Sequence, residues 1–330
     1  VMVSLGSKLG LYRAMANAGP LGAGEVAARA GCAERYVREW LAACAAGGYV
    51  TYDSATGYFT LPPAYADVLA NPDSPRYAVP SLIWSARLAA VLPALEAAFR
   101  TGAGVPYAAY DAGGLDGAGD ADRIEYLTSV AGWLQATPAL QRCSRDARRV
   151  LDVACGHGWS TLALAAALPA ATVDAIDADA ASIAAARLNV ARAGLAERVR
   201  LHQTPAEFFA TPHTFDLITA FQCVHDMAQP VQVLRHLREL LAPGGILLVA
   251  DLKMADALED NLTAQGHNHY NWSVLHCLPQ ARVDPASAAT GCGMGPALMR
   301  RCATQAGFAQ CEVLPIEHEG WYFYRLGGAG

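Results

Sequence analysis

The stretch Val150-Leu-Asp-Val-Ala-Cys-Gly-His-Gly-Trp-Ser-Thr161 decides the fold, because an apolar strand here passes through a glycine-rich turn into a helix. The small residues Ala154, Gly156 and Gly158 allow the backbone to turn sharply and to approach a ligand closely. The free N–H groups at the start of the following helix would face that ligand. The stretch therefore predicts a strand, a ligand-binding loop and a helix in succession.

The spacing of these small residues disfavours a dinucleotide site. A dinucleotide fingerprint with Gly156 as its second glycine also requires glycine at positions 154 and 159. The chain has Ala154 and Trp159 there. NAD is therefore the weaker choice of ligand.

Strands and helices alternate around this stretch, from residue 141 to the C-terminus. Such alternation predicts an α/β fold with a Rossmann-like, doubly wound, mostly parallel sheet, on which ligands bind beyond the carboxyl ends of the strands. The predicted strands are Arg149–Val153, Ala171–Ile176, Val199–His202, Phe215–Phe221, Gly245–Ala250 and Trp321–Arg325, and the predicted helices are Ser160–Leu168, Ala180–Ala193 and Pro230–Leu241.

Two further segments precede this domain. Residues 1–78 predict a mainly helical winged-helix domain for dimerisation or for covering the site, with helices at Leu5–Ala16, Ala23–Ala30 and Glu34–Ala46 and a hairpin at 49–61. Residues 79–140 predict a helical linker and lid, interrupted by the glycine-rich loop Gly113–Gly119. Tyr107 and Tyr110 in this lid are candidate substrate contacts. The third domain comprises residues 141–330.

The charge and composition exclude several classes of protein. The net charge is -6, and residues 1–78 contain six basic and six acidic side chains, so the basic surface of a DNA-binding domain is absent. A cofactor-responsive transcription regulator remains as the non-enzymatic alternative. No apolar run is long enough to span a membrane, and nine scattered cysteines without a CxxC pair suggest reduced thiols. We therefore expect a cytoplasmic protein that binds neither nucleic acid nor membrane.

Five motifs in order resemble class I S-adenosylmethionine-dependent methyltransferases. Asp152 precedes the three small residues, and Asp177 ends a second strand 25 residues later. Three more matches follow, at Phe215–Thr219, Leu241–Gly245 and Ala306–Phe308. Together with the winged helix they make nearly the whole chain similar to the two-part small-molecule methyltransferases of bacteria and plants. The resemblance implies a seven-stranded sheet, S-adenosyl-L-methionine as cofactor and a homodimer.

The resemblance also implies a set of cofactor contacts. In the family the acid at Asp177 binds both ribose hydroxyls; the alternative is that Asp177 caps a helix, although Asp179 could fill that role. The usual Gly-Asp after the third strand is replaced by Thr204-Pro205, so Glu207 or the Ala206 backbone is expected to contact the adenine. The full set of candidates is Asp152, Ala154, Gly156, Gly158, Asp177, Ala178, Ala206, Glu207, Phe221 and Gln222.

The segment Phe221–Met227 carries the candidate chemistry. His225 lies just past the fourth strand and resembles the histidine of a His-Asp motif that removes the hydroxyl proton in small-molecule O-methyltransferases. Its near-neutral reference pKa suits a general base. Asp251 ends the neighbouring strand, where its carboxylate could orient the imidazole. We therefore predict His225, Asp226 and Asp251 as the catalytic group; the alternative is that His225 and Asp251 only cap local structure.

An insertion at 260–279 contains three of the nine histidines. The candidate substrate contacts, besides Tyr107 and Tyr110, are Tyr270, His269, His276 and His318. The leading hypothesis is metal-free O-methylation of a small molecule. The alternative is metal-assisted C-methylation of a 2-oxo acid, with His225, His269, His276 and possibly Cys277 as ligands. The sequence leaves open the acceptor and the choice between oxygen, nitrogen and carbon.

Overall fold

The computed structural model describes residues 1–74, 76–111 and 120–327. The glycine-rich loop Gly113–Gly119 lies outside these residues. The chain forms two compact units, one of residues 1–90 with 113–124 and the other of residues 91–112 with 125–330. The function of residues 79–140 as a lid stays a prediction. Within the described part of the chain, no helix combines the length and the apolar character needed to cross a membrane.

The first unit has the predicted helices and hairpin, with one correction. Helices α3 and α4 have the predicted bounds, but the predicted helix Leu5–Ala16 is wrong. It is split because Gly10 adopts a left-handed φ of 71°, which interrupts the helical hydrogen bonding. The elements are α1 (Met2–Lys8), α2 (Leu11–Met15), α3 (Ala23–Ala30), α4 (Glu34–Ala46), β1 (Thr51–Asp53), β2 (Tyr58–Thr60), α5 (Pro63–Leu69) and α6 (Val79–Leu88).

The second unit contains a seven-stranded sheet in the order β5-β4-β3-β6-β7-β9-β8. Strands β3 to β7 are parallel, whereas β9 runs antiparallel to both β7 and β8. This confirms the predicted mostly parallel sheet. The strands are β3 (Arg149–Val153), β4 (Thr172–Asp177), β5 (Val199–Gln203), β6 (Phe215–Phe221), β7 (Leu241–Leu252), β8 (Gln310–Val313) and β9 (Trp321–Gly327).

Helices cover both faces of this sheet, which explains why its central strands are mostly apolar. Helix α10 packs on one face, and α12 and α15 pack on the other. Helix α12 buries Val233, Leu234 and Leu237, the spacing of an amphipathic helix. The helices are α7 (Leu92–Thr101), α8 (Arg123–Trp133), α9 (Pro138–Asp146), α10 (Trp159–Ala167), α11 (Ala180–Arg192), α12 (Pro230–Leu240), α13 (Ala264–Trp272), α14 (Leu278–Ala281) and α15 (Pro296–Gln305).

The insertion at 260–279 is mostly helical. Helix α13 continues directly into a π-helical turn, Ser273–Cys277, and then into α14. π-Helical turns occur often at functional sites because the extra residue in the turn changes where side chains point. This turn carries His276 and Cys277, two of the residues that the sequence singled out.

Candidate active site

The loop after β3 has the backbone that a close ligand approach requires. Ala154, Gly156 and Gly158 all have positive φ, at 54°, 53° and 81°. A Cβ on Gly156 would meet no atom within 4 Å, whereas one on Gly158 would lie 3.1 Å from Ala186 Cβ in α11. Gly156 therefore faces open space, and Gly158 permits close packing of the loop against α11.

Asp152 supports this loop from inside the fold. Its carboxylate is buried and accepts hydrogen bonds from Ser160 Oγ and Thr161 Oγ1, both at 2.6 Å, and from Thr219 Oγ1 at 2.8 Å. Burial raises the pKa of Asp152, and the three hydroxyl groups partly offset that rise. Both oxygens already have protein partners, so the geometry favours a structural function; the predicted direct contact with the cofactor stays a prediction.

Asp177 ends β4 beside the same loop. Its Oδ2 accepts a hydrogen bond from Gly156 N, and its Oδ1 accepts one from Asp179 N, both at 2.8 Å. A carboxylate oxygen has two lone pairs, so each oxygen can accept one more donor. The N-cap of α11 is Asp179, whose Oδ2 accepts from Ser182 N at 2.7 Å. The capping alternative for Asp177 is thus wrong.

The predicted adenine contacts lie next to Asp177. Ala178 follows it directly and is exposed. Thr204 N donates to Asp177 O at 2.9 Å, which brings the short 3-10 helix Ala206–Phe208 to the same edge of the sheet. Glu207 is half-buried in that helix. The structure therefore brings Ala178, Ala206 and Glu207 together, and their cofactor contacts stay predictions.

Strand β6 ends at Phe221 and is followed by Gln222, on the other side of β3 from Asp177. Phe221 is buried and stacks on Tyr126, with ring centroids 5.8 Å apart. Gln222 has a left-handed φ of 52°, and its N–H donates to Ala250 O at 2.7 Å. Its side-chain Nε2 donates to Tyr126 Oη at 3.2 Å. The sequence did not identify Tyr126 as a site residue, because α8 lies outside the alternating strands and helices of the sheet.

His225 and Asp251 form a buried pair at the ends of adjacent strands β6 and β7. His225 Nδ1 lies 2.5 Å from Asp251 Oδ1, and the His225 backbone N donates to Asp251 Oδ2 at 3.2 Å. Asp251 is fully buried and also accepts from Leu252 N at 2.7 Å. The other ring nitrogen, Nε2, lies 3.3 Å from Asp226 Oδ1. The structure therefore brings the three predicted catalytic side chains together.

The carboxylates control the charge of His225. Burial by itself would lower the pKa of His225, but the negative charges of Asp226 and Asp251 outweigh burial and hold that pKa well above its ordinary value. Proton transfer to Nε2 requires the neutral imidazole with its proton on Nδ1, the tautomer that Asp251 favours. A base of this kind works best at a pH above the usual histidine range.

We expect Asp226→Asn to move the acidic limb of the pH–kcat/KM profile to lower pH, by about one unit for each 1.4 kcal/mol of lost attraction. The charged and titratable groups facing His225 are Asp226, Asp251, Cys277, Cys292, His276 and His269. Removing the Asp226 charge lowers the His225 pKa, so the neutral base persists to lower pH. An initial-rate pH profile measures the midpoint. The exposed Asp146→Asn variant serves as control, and an unmoved midpoint in Asp226→Asn would contradict the assignment.

The π-helical turn completes the surroundings of His225. The Cys277 thiol is buried within 4.8 Å of ligand atoms of His225 and Asp226, and burial raises its pKa to about 12. His276 contacts two tyrosine rings, Tyr110 at 5.0 Å and Tyr107 at 6.0 Å between centroids. Tyr110 Oη donates to Leu275 O at 2.8 Å. Tyr107, Tyr110 and His276 are thus assembled near the base, and their substrate contacts stay predictions.

The remaining substrate candidates have other surroundings. His269 is buried with Nδ1 3.3 Å from Met254 Sδ, and Tyr270 is partly exposed on α13. His318 stacks on Trp321 at 4.2 Å; its Nδ1 accepts from Gly320 N and Trp321 N, and its Nε2 lies 3.5 Å from Glu125 Oε1. Both ring nitrogens of His318 therefore have protein partners.

The candidate metal ligands are brought together only in part. In the described residues, the one group of three potential ligand atoms within 4.8 Å of one another belongs to His225, Asp226 and Cys277. His269 and His276 are not members of it. His225 and Cys277, two of the residues named for the metal alternative, therefore lie together, and metal-assisted C-methylation with His269 or His276 as a further ligand stays a prediction.

Comparisons with known proteins agree with this architecture. Residues 151–247 match the family model of a methyltransferase domain, and residues 1–71 match that of an Rv2258c-like winged HTH domain. The chain has the fold of a class I S-adenosylmethionine-dependent methyltransferase, preceded by a winged-helix domain. This confirms the fold and the resemblance inferred from the sequence.

Sequence identity to individual proteins is low. The chain is 28% identical over 173 residues to a ubiquinone biosynthesis O-methyltransferase from Psychrobacter arcticus, a match covering 52% of this chain and 63% of that protein. A match to another curated relative covers 24% of that protein, so this chain spans only part of the length of both relatives.

Two solved structures share the fold over almost the whole chain. An O-methyltransferase family protein from Burkholderia thailandensis has a TM-score of 0.73 at 19% identity, covering 99% of this chain and 93% of that one. Human N-acetylserotonin methyltransferase in complex with SAM has a TM-score of 0.69 at 16% identity, with the same coverage.

Proposed function

We propose that this protein transfers a methyl group from S-adenosyl-L-methionine to a hydroxyl of a small molecule, with His225 as general base. The observation that carries the proposal is the common location of three features. Asp177, the 154–158 loop and His225 follow the carboxyl ends of the adjacent strands β4, β3 and β6. Ligands of doubly wound sheets bind at this edge.

The residues at this edge suit the cofactor. Asp177 retains one lone pair on each oxygen for a ribose diol, and Gly156 leaves space beside it. The N-terminus of α10, which has no side-chain cap, lies at this edge, and helix N-termini favour a carboxylate. When bound, S-adenosyl-L-methionine supplies a methyl group on an electrophilic sulfonium. Several solved relatives, including the human N-acetylserotonin enzyme, contain SAM or its demethylated product.

The chain's own contribution to the reaction is orientation and proton transfer. Asp251 holds the Nδ1–H of His225 and thereby presents the Nε2 lone pair to the acceptor hydroxyl. Nε2 removes the hydroxyl proton, and the resulting imidazolium is stabilised by Asp251 and Asp226. Burial of His225 and Cys277 keeps water from the base.

We also propose that the protein is a cytoplasmic homodimer. Supporting this are the exposed apolar side chains of α1 and the loop after it, Met2, Leu5 and Leu9, in the winged-helix unit. Nine free thiols fit a reducing compartment. Light scattering at micromolar concentration should give twice the mass of one chain.

The regulator alternative finds no support in the charges of α4, where Arg35 pairs with Glu39 and Arg38 pairs with Glu34.

Mass spectrometry of a cell extract treated with the enzyme and deuterated-methyl S-adenosyl-L-methionine tests the proposal. We expect one or more metabolites to gain a single labelled methyl group, and fragmentation to locate the label on oxygen. The His225→Asn variant is the matched control, and it should leave the extract unlabelled. Labelling on carbon or nitrogen, or no labelling with the native enzyme, would contradict the proposal.

A further inference from the structure

Tyr126 and Gln222 form a rigid pair at the carboxyl end of β6. The Tyr126 ring stacks on Phe221, with centroids 5.8 Å apart and an interplanar angle of 22°, and on Trp321, at 6.0 Å and 29°. These two aromatic contacts restrict the orientation of the ring and of its hydroxyl. Gln222 Nε2 donates to that hydroxyl at 3.2 Å. The pair fixes the orientation of the Gln222 amide.

The Gln222 backbone is also fixed, in a conformation that favours glycine. Its φ of 52° is left-handed, and its N–H is bound to Ala250 O on the adjacent strand. Non-glycine residues held in this region cluster at ligand sites, because the surrounding structure must maintain the strain. With Nε2 directed at Tyr126, the amide oxygen Oε1 is left as the acceptor; among the described residues no donor is bonded to it.

The position of Gln222 relative to Asp177 identifies the ligand group that it would meet. Strands β4, β3 and β6 are consecutive, and neighbouring strands are about 4.8 Å apart, so Asp177 and Gln222 stand roughly 10 Å apart across the 154–158 loop. A ligand whose diol binds Asp177 would place its opposite end near Gln222. An acceptor oxygen there suits an ammonium group, whereas the N–H groups of α10 suit a carboxylate.

We propose that Tyr126 is a positioning residue, which orients Gln222 Oε1 to accept a hydrogen bond from the α-ammonium group of the cofactor's amino-acid part. This inference rests on the proposed function, because it assumes that S-adenosyl-L-methionine occupies the edge of the sheet. Tyr126 acts through Gln222 and does not itself contact the reacting atoms. Losing its hydroxyl releases the amide, which then rotates between orientations, only some of which present an acceptor.

Calorimetry with two probes tests the inference on the full chain. S-adenosylhomocysteine has the amino-acid part, and 5′-methylthioadenosine lacks it. Tyr126→Phe keeps the stacked ring and should weaken binding of S-adenosylhomocysteine about three- to ten-fold, the range for one net hydrogen bond, with the Kd of 5′-methylthioadenosine unchanged. Gln222→Ala should show the same selective loss. The double variant should lose no more than Gln222→Ala alone, because the two residues act in series.

Four outcomes would overturn the inference. Two of them concern Tyr126→Phe: binding of S-adenosylhomocysteine equal to that of the native protein, or equal weakening of both probes, which indicates a structural role. A thermal melt of each variant separates misfolding from either result. Additive losses in the double variant would also contradict it. Failure of the native protein to bind either probe would refute the proposed function and, with it, the inference. The Tyr322→Phe variant on β9 is the control for loss of a tyrosine hydroxyl elsewhere.

Discussion

Removing the imidazole of His225 is expected to lower kcat by about 10² to 10⁴, the usual contribution of a general base, and to leave cofactor affinity unchanged. His225 Nε2 is directed at Asp226 and the Cys277 thiol, whereas the predicted cofactor contacts lie on the loop after β3 and at the end of β4. His225→Ala and His225→Asn should be compared by single-turnover rates with the labelled acceptor and by calorimetry with S-adenosylhomocysteine.

Two variants are needed because Asp251 is fully buried. His225→Ala leaves that carboxylate without its imidazole partner, and an uncompensated buried charge can cost about 3–5 kcal/mol of stability. His225→Asn keeps an N–H donor near Asp251 and still lacks a base, so it separates the chemistry from the fold. His213→Ala, in the exposed loop before β6, is the histidine control. Native turnover in a folded His225→Asn protein would show that His225 is not the base.

The sequence predicted elements whose signal is local. Strands β3 and β6 and helices α3 and α4 have the predicted bounds, and both helices end at a glycine, the residue most typical of a helix C-terminus. The first helix was wrong because a single residue, Gly10, takes a left-handed conformation that the apolar periodicity does not reveal. The helical character of 264–281 was missed since its histidines and asparagines mask the periodicity of α13.

The residues of the candidate site could likewise be predicted only where their signal is local or follows from the sheet topology. His225 and Asp251 could be paired from sequence because both follow the ends of neighbouring parallel strands, and topology alone brings such positions together. Tyr126 could not be placed, since its partner Gln222 is 96 residues away and α8 belongs to no strand-helix unit. The Cys277 contact with His225 depends on the π-helical turn, which has no signature in the sequence.

Asp177→Ala is expected to weaken S-adenosylhomocysteine binding by about 10²-fold or more. A hydrogen bond to a charged group contributes about 1.5–3 kcal/mol, and the proposed ribose diol would form two with this carboxylate. The substitution also removes the acceptor for Gly156 N and Asp179 N, so the loop after β3 loses a hydrogen bond that joins it to β4. Calorimetry gives the affinity, and a melting curve shows whether the variant remains folded.

The matched control is the neighbouring acid. Asp179→Ala removes the N-cap of α11, which should cost about 1 kcal/mol of stability and leave cofactor affinity near the native value. Asp177→Asn should bind with intermediate affinity, because the amide keeps one acceptor oxygen and loses the charge. The two acids stand two residues apart at the end of β4, so a contrast between them cannot arise from general damage to that edge of the sheet. If Asp177→Ala bound the ligand within three-fold of the native protein, or if Asp179→Ala weakened binding equally, the ribose assignment of Asp177 would be wrong.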